Sequence, residues 1–146
     1  VVRASDGVAI SNDLLTSGLA VQSAVAPNTA CAEYFSELEQ QAKEHKLGLW
    51  SQPQLWQTDV NGLSKKSQGF KLVVGSVSSM KQHKKYTELT IDNKLKLRVR
   101  KSLAETLPLK QLAGKTIAVR GWMSNYKSQL RLRLHHPVNL TIVSNN

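Results

Sequence analysis

The sequence predicts an α+β, mainly β fold in which a short helical segment precedes a β-barrel of five or six strands. Two patterns support this prediction. Apolar residues at helical spacing predominate in the first part of the chain, and an alternation of apolar and polar residues recurs after Gly69. A length of 146 residues allows one ordinary domain or two small ones. We therefore expect two parts that differ in secondary structure.

The charge of the chain is divided in the same way. Residues 1–60 contain three basic and seven acidic residues, a net charge of −4, whereas residues 61–146 contain 17 basic and three acidic ones, a net charge of +14. A strongly basic segment favours nucleic acid or another polyanion as a partner. No stretch is long and apolar enough to span a bilayer, so no membrane span is predicted.

The first part of the chain alternates short extended segments with helices. We predict, in order, a strand at 1–4, a turn at 5–7, a helix at 12–17, an extended segment at 19–26 and a helix at 30–46. In the second helix, Tyr34, Leu38 and Ala42 recur at three- to four-residue spacing, and Glu39 is assigned to the polar side. Domain 1 is thus placed at residues 1–52, and the polar, proline-containing residues 53–68 predict a linker.

The second part, residues 69–146, has the period of two that is typical of strands. Strands are predicted at about 70–79, 84–91, 94–100, 115–123, 128–134 and 138–143, with a short helix at about 101–112. Three strands, a helix and two further strands is the order of an OB-type barrel, whose helix lies between the third and fourth strands. We therefore predict an OB-like barrel domain.

The outward positions of these strands carry the candidate binding residues. Single strands of nucleic acid are bound by such barrels through cations that follow the phosphates and aromatic rings that stack on bases. Because alternate residues of a strand point to the same side, the outward positions can be read from the sequence. The predicted phosphate contacts are Lys96, Arg98, Arg100, Arg120, Arg131 and Arg133. The predicted stacking side chains are Tyr86 and Trp122. Tyr126 and the loop 81–85 are placed at the rim. Alternatively, these cations only protect the edges of the sheet, a common use of lysine at outward positions.

No catalytic residue and no metal ligand is assigned. The adjacent His135 and His136 point to opposite sides of an extended chain, so they are poorly placed to chelate one ion, and no spacing of His, Cys, Asp or Glu suits zinc. A nucleophile elbow and a glycine-rich phosphate loop are both absent. We expect no metal and no cofactor in this chain.

The helical part resembles a known family of enzymes. The stretch Asp6–Ala20 is similar to a late segment of the staphylococcal-nuclease-like thermonucleases, in which a strand and a turn lead into a short helix closed by Gly-Leu-Ala. The long helix followed by Lys46–Ser51 resembles the end of that domain, and Glu39 and Ala42 fall where the family has an Ala/Glu helix pair. This resemblance covers residues 1 to about 52.

A second resemblance concerns the barrel. Residues 69–143 are similar to a C-terminal OB-like extension that some Gram-negative-type members of the family carry. The positions that support this likeness are Gly69-Phe70, Gly75, Gly121-Trp122 and His136-Pro137.

Together these resemblances imply the nucleic-acid-binding, C-terminal portion of a calcium-dependent phosphodiester hydrolase that is exported or periplasmic. The family's calcium-binding carboxylates, general-base glutamate and phosphate-gripping arginines precede the matching segment, so we expect this chain alone to be inactive. We also expect Leu14, Leu15, Phe35 and Leu38 to contact an N-terminal segment or a second chain. The expected partner of the barrel is single-stranded DNA or RNA.

Two alternatives to nucleic-acid binding remain for the barrel. In the first, it is a protein-interaction module or an anchor to anionic envelope material, which requires charge but no stacking rings. In the second, it is a stabilising domain with a solvated cationic face.

Overall fold

A computed structural model describes residues 9–143 of the chain. The strand predicted at 1–4 and the turn predicted at 5–7 lie outside the described residues. The chain divides between Trp56 and Gln57 into two compact units, a helical unit and a barrel unit. No helix in the described range combines the length and the apolar character that crossing a membrane requires.

The helical unit contains helices α1 (Ile10–Thr16) and α2 (Ala32–Glu44), followed by 3-10 turns at Gly48–Ser51 and Pro53–Leu55. The predicted helices are present, with shifted ends. The extended segment predicted at 19–26 forms no strand; its only ladder contact in the described structure is an isolated bridge between Val25 and Asn28.

The interior of the helical unit includes a charged side chain that the sequence pattern assigned to the polar side. Glu39 is only 2% exposed and accepts a hydrogen bond from the backbone N–H of Gln22 at 2.7 Å. Its carboxylate also forms an ion pair with Lys43, one helical turn later, at 2.9 Å. A buried carboxylate is tolerated when such partners replace its hydration, so Glu39 joins α2 to the segment that precedes it.

The apolar surface predicted for this unit is smaller than expected. Leu15 and Leu38 are buried, Phe35 is half-buried, and of the four predicted residues only Leu14 is exposed. Leu19 and Leu55 are more exposed than Leu14. The expected contact with a partner is therefore supported by the exposure of Leu14 and not by that of the other three residues.

The barrel unit is a seven-stranded sheet closed on itself. Its strands are β1 (Thr58–Asp59), β2 (Gly69–Gln82), β3 (Tyr86–Ile91), β4 (Leu95–Arg100), β5 (Thr116–Tyr126), β6 (Gln129–Leu134) and β7 (Leu140–Ile142). The order is β1-β2-β3-β4-β6-β5-β7, and pairing of β2 with β5 closes the five central strands. All neighbours are antiparallel except β1–β2 and β4–β6. This is the topology of an OB barrel, so the predicted fold class is confirmed.

The alternation of the sequence produces the barrel core. Every second side chain of a strand points inward, and Leu95, Leu97 and Val99 of β4 are completely buried. The intervening Lys96, Arg98 and Arg100 consequently face outward. The other inward residues come from all the central strands, including Val73, Leu89, Ile91, Ile117, Val119, Leu130 and Leu132.

The structure differs from the sequence prediction before the central strands and again between β4 and β5. Residues 53–68, predicted to be a linker, contain β1, and Val60 and Leu63 within this range are buried in the barrel core. The helix predicted at 101–112 is α3 (Lys101–Ala104) and a separate 3-10 turn at Leu109–Leu112. Pro108 explains the break, because proline lacks an N–H and disfavours helical geometry at the residue before it.

Substitution of Gly75 tests how closely the segment around Val60 is packed on the barrel. A Cβ at Gly75 would lie 2.6 Å from Cγ2 of Ile91 and 2.9 Å from Cγ2 of Val60. We expect Gly75→Ala to lower the free energy of unfolding by about 1–3 kcal/mol through overpacking. Gly62→Ala is the matched control, because a Cβ there has no neighbour within 4 Å. Equal stability of the two variants in urea unfolding would contradict the described packing.

Candidate nucleic-acid interface

The outward sides of β3, β4 and β6 form one surface, which we call the basic face. Parallel pairing of β4 with β6 places Lys96 opposite Arg131 and Arg98 opposite Arg133. The antiparallel β3–β4 pair adds further outward side chains to this surface. Its members are Tyr86, Glu88, Thr90, Lys96, Arg98, Arg100, Gln129, Arg131 and Arg133. Five of the predicted phosphate contacts therefore lie on the same face.

One carboxylate neutralises part of the basic face. Glu88 forms an ion pair with Nε of Arg98 at 3.1 Å and a longer one with Nζ of Lys96 at 3.8 Å. Nζ of Lys96 also donates a hydrogen bond to Oγ1 of Thr90 at 2.7 Å. Among residues 9–143, Arg100, Arg131 and Arg133 form no ion pair. The face thus keeps a large positive excess for an anionic ligand.

Tyr86 already has two stacking partners. The ring of His83 lies parallel to it, with 4.4 Å between the centroids and 22° between the planes. The guanidinium of Arg98 is 4.5 Å from the same ring centroid. A base could stack on Tyr86 only by displacing one of these groups. In the structure, Tyr86 contributes to the basic face by orienting Arg98, a role that the sequence pattern did not indicate.

Trp122 and Tyr126 are the more accessible rings. Trp122 is 62% exposed, and its one ring contact within residues 9–143 is an edge contact with Phe70, with 5.8 Å between the centroids. It is on the same side of β5 as Ser124, which pairs with Arg131 across the β5–β6 ladder. The guanidinium of Arg131 lies 4.4 Å from the Tyr126 ring, which is half exposed. The structure therefore brings one open ring, Trp122, and one partly covered ring, Tyr126, to the β6 side of the basic face.

Arg120 is placed differently from the prediction. It shares the outward parity of Trp122, but its side chain is only 4% exposed and is engaged in an interaction of the fold. Its partner across the β2–β5 ladder, Leu72, is buried as well. Outward parity on a strand does not guarantee contact with solvent when the sheet surface is covered. In this conformation Arg120 is not presented to a ligand as Arg131 and Arg133 are.

The basic face ends in a small cavity. It has a volume of about 190 Å³ and is lined by Lys85, Tyr86, Arg98, Arg100 and Arg133. Partial burial, together with the nearby guanidiniums of Arg133 and Arg100, lowers the pKa of His135 below its ordinary value of 6.5. Sequence reasoning missed this cavity because it depends on the side-by-side packing of β4 and β6, which are far apart in the chain. The only local signal was Lys85 in the rim loop.

No metal site is evident beside the basic face. Over residues 9–143, no three His, Cys, Asp or Glu side chains are grouped so that they could hold a metal ion.

The pKa of His135 provides a test of the charge density at this end of the face. We expect Arg133→Gln to raise the pKa of His135 part of the way to its ordinary value, because one repulsive charge is removed while the burial remains. The pKa can be followed by NMR titration of the imidazole signals. Arg131→Gln is the control and should leave it unchanged. Equal shifts in both variants would contradict the described arrangement.

The same pKa has a consequence for stability. The folded protein binds the His135 proton more weakly than the unfolded chain does. The contribution of His135 to the free energy of unfolding therefore decreases as the pH falls from about 6.5 to below the lowered pKa.

This chain is similar to several solved structures and, over its first residues, to one known family. Structures similar to this chain include the S. pombe Stn1–Ten1 complex (TM-score 0.43, 13% identity, 53% of this chain and 60% of that chain). They also include yeast Stn1 and Ten1 (TM-score 0.41, 19% identity, 52% and 43%) and the p204 HINb domain (TM-score 0.46, 14% identity, 66% and 51%). This chain thus spans less than two thirds of each of these structures.

The search of curated proteins finds no match. Residues 1–52, however, match the family described as Staphylococcal nuclease homologue, which confirms the resemblance predicted for this segment.

Proposed function

We propose that the barrel binds single-stranded nucleic acid through the basic face, as the nucleic-acid-binding portion of a thermonuclease-family phosphodiester hydrolase. The observation that carries this proposal is the parallel β4–β6 register, which sets Lys96 opposite Arg131 and Arg98 opposite Arg133. Two adjacent rows of cations match the repeating negative charge of a phosphate backbone. The match of residues 1–52 to a nuclease-homologue family supports the choice of a nucleic acid as the anion.

The division of roles within the face follows from its contacts. Arg100, Arg131 and Arg133 have no carboxylate partner among the described residues, so they are the most available for phosphates. Glu88 holds Arg98 and Lys96 in place and lowers their net contribution to the field of the face. Trp122 provides the exposed ring that a base can reach without displacing another side chain. Arg120 contributes no direct contact in this proposal.

The first test is the salt dependence of binding. We expect the affinity for a labelled single-stranded oligonucleotide to fall with salt, with a slope of about −0.7 per phosphate contact in a log–log plot. Arg131→Gln should weaken binding and reduce the slope by about 0.7. Lys110→Gln removes an equal charge from an exposed position of the 3-10 turn outside the basic face and should change the slope little. Absence of salt-sensitive binding in the unmodified protein would refute the proposal.

The second test separates base stacking from simple polyanion binding. We expect Trp122→Ala to weaken oligonucleotide binding by about 1–3 kcal/mol, the range observed for a base stacked on an aromatic ring. Binding of inorganic polyphosphate, which has no bases, should be unaffected by the substitution. Tyr86→Ala is the companion variant, and we expect a smaller direct effect because its ring is already stacked by His83 and Arg98.

Equal loss of both ligands in Trp122→Ala would point to altered folding and can be checked by circular dichroism. Equal retention of both ligands in a folded variant would favour the alternative of a charge-only anchor to anionic envelope material.

A further inference from the structure

The cavity at the end of the basic face is a concave part of that surface. Its lining comes from the start of β3, the end of β4 and the last part of β6, together with Lys85 from the preceding loop. Strand β4 ends at Arg100, and α3 begins at the next residue. The cavity therefore lies where the surface formed by the three strands stops.

All four charged groups that line this cavity are cations. Arg98 is neutralised by Glu88, but Lys85, Arg100 and Arg133 have no ion-pair partner in the described part of the chain. A larger cavity of the barrel unit, about 600 Å³ between the β2–β3 loop and the α3 region, includes Glu105 in its lining. The charged groups that line the small cavity are thus all positive, and a neutral ligand would leave three cations uncompensated.

The size of the cavity limits what it can hold. Pockets for drug-sized molecules usually measure about 300–1,000 Å³, and this one measures about 190 Å³. One phosphate group fits within that space. A phosphomonoester carries a charge of about −1.5 to −2 and three strongly accepting oxygens. Arginine guanidiniums bind such oxygens in pairs, and Arg100 and Arg133 are available for this geometry.

We propose that this cavity binds the terminal phosphomonoester of a nucleic-acid strand whose chain lies along the basic face. The inference rests on the proposed function and deepens it. An internal phosphodiester has a single negative charge and must continue in both directions, while this cavity is at the limit of the face. A chain end matches both the position of the cavity and its three unpaired cations. The 5′ and 3′ phosphomonoesters share this chemistry, and the experiment below separates them.

The test compares oligonucleotides of one sequence that carry a 5′-phosphate, a 3′-phosphate or hydroxyls at both ends. We expect at least one phosphorylated form to bind about tenfold more tightly than the hydroxyl form, as for hydrogen bonds between charged groups. An oligonucleotide one nucleotide longer, with hydroxyl ends, controls for the added backbone charge. If all forms bind equally, the terminal-phosphate inference fails while the proposed function stands. If none binds, both fail.

Matched variants locate the effect. Arg133→Gln should remove the preference for the phosphorylated end, whereas Arg131→Gln, on the same strand and face but outside the cavity, should weaken all forms alike and preserve the preference. A preference that survives in a folded Arg133→Gln protein would overturn the inference. Arg100→Gln repeats the test from β4, should Arg133→Gln fail to fold.

His135 supplies an independent readout in the unmodified protein. Its pKa is lowered in part by Arg133 and Arg100, so a bound phosphomonoester should raise it, and a larger rise with the hydroxyl-ended oligonucleotide would contradict the assignment.

Discussion

The parallel pairing of β4 with β6 is the constraint on which the rest of the barrel unit depends. These strands are separated in the sequence by α3 and β5, and their pairing completes the ring that the β2–β5 ladder closes. The same register aligns Leu97 with Leu132 on the inside and Arg98 with Arg133 on the outside. The interior of the barrel and the composition of the basic face are therefore set by a single alignment.

This alignment has an electrostatic cost. Like charges directly opposite each other across two strands are destabilising, and the β4–β6 ladder contains two such pairs. Glu88 offsets part of the repulsion from the β3 side, and the Tyr86 ring receives the Arg98 guanidinium. The apolar residues inside the barrel hold the register, because a shift by one residue would move leucines to the surface and cations to the core.

The sequence predicted the fold well where periodicity is strong. In β4 and β6 every second residue is leucine or valine and most of the others are basic, so strand identity and facing were both predictable. Prediction failed where tertiary context overrides a local pattern. Arg120 has outward parity, yet it is buried; Glu39 is charged, yet it is inside the helical unit.

The candidate site was predictable only in part for the same reason. Neighbouring strands must be known before one surface can be assigned to Lys96, Arg98, Arg100, Arg131 and Arg133. The order of strands along the chain does not reveal that β4 adjoins β6. The partners of the Tyr86 ring likewise come from the preceding loop and from another strand. No spacing in the sequence could indicate that this ring is already occupied.

The two rows of facing cations have a consequence for the protein without ligand. Any anion that bridges Arg98 and Arg133 reduces the repulsion between them, and a ligand that binds only the folded state stabilises it according to its concentration and affinity. The melting temperature of this barrel would then depend on the anions present, including those of the buffer. The free energy of unfolding measured in phosphate would therefore differ from the value measured in a buffer of weakly binding anions.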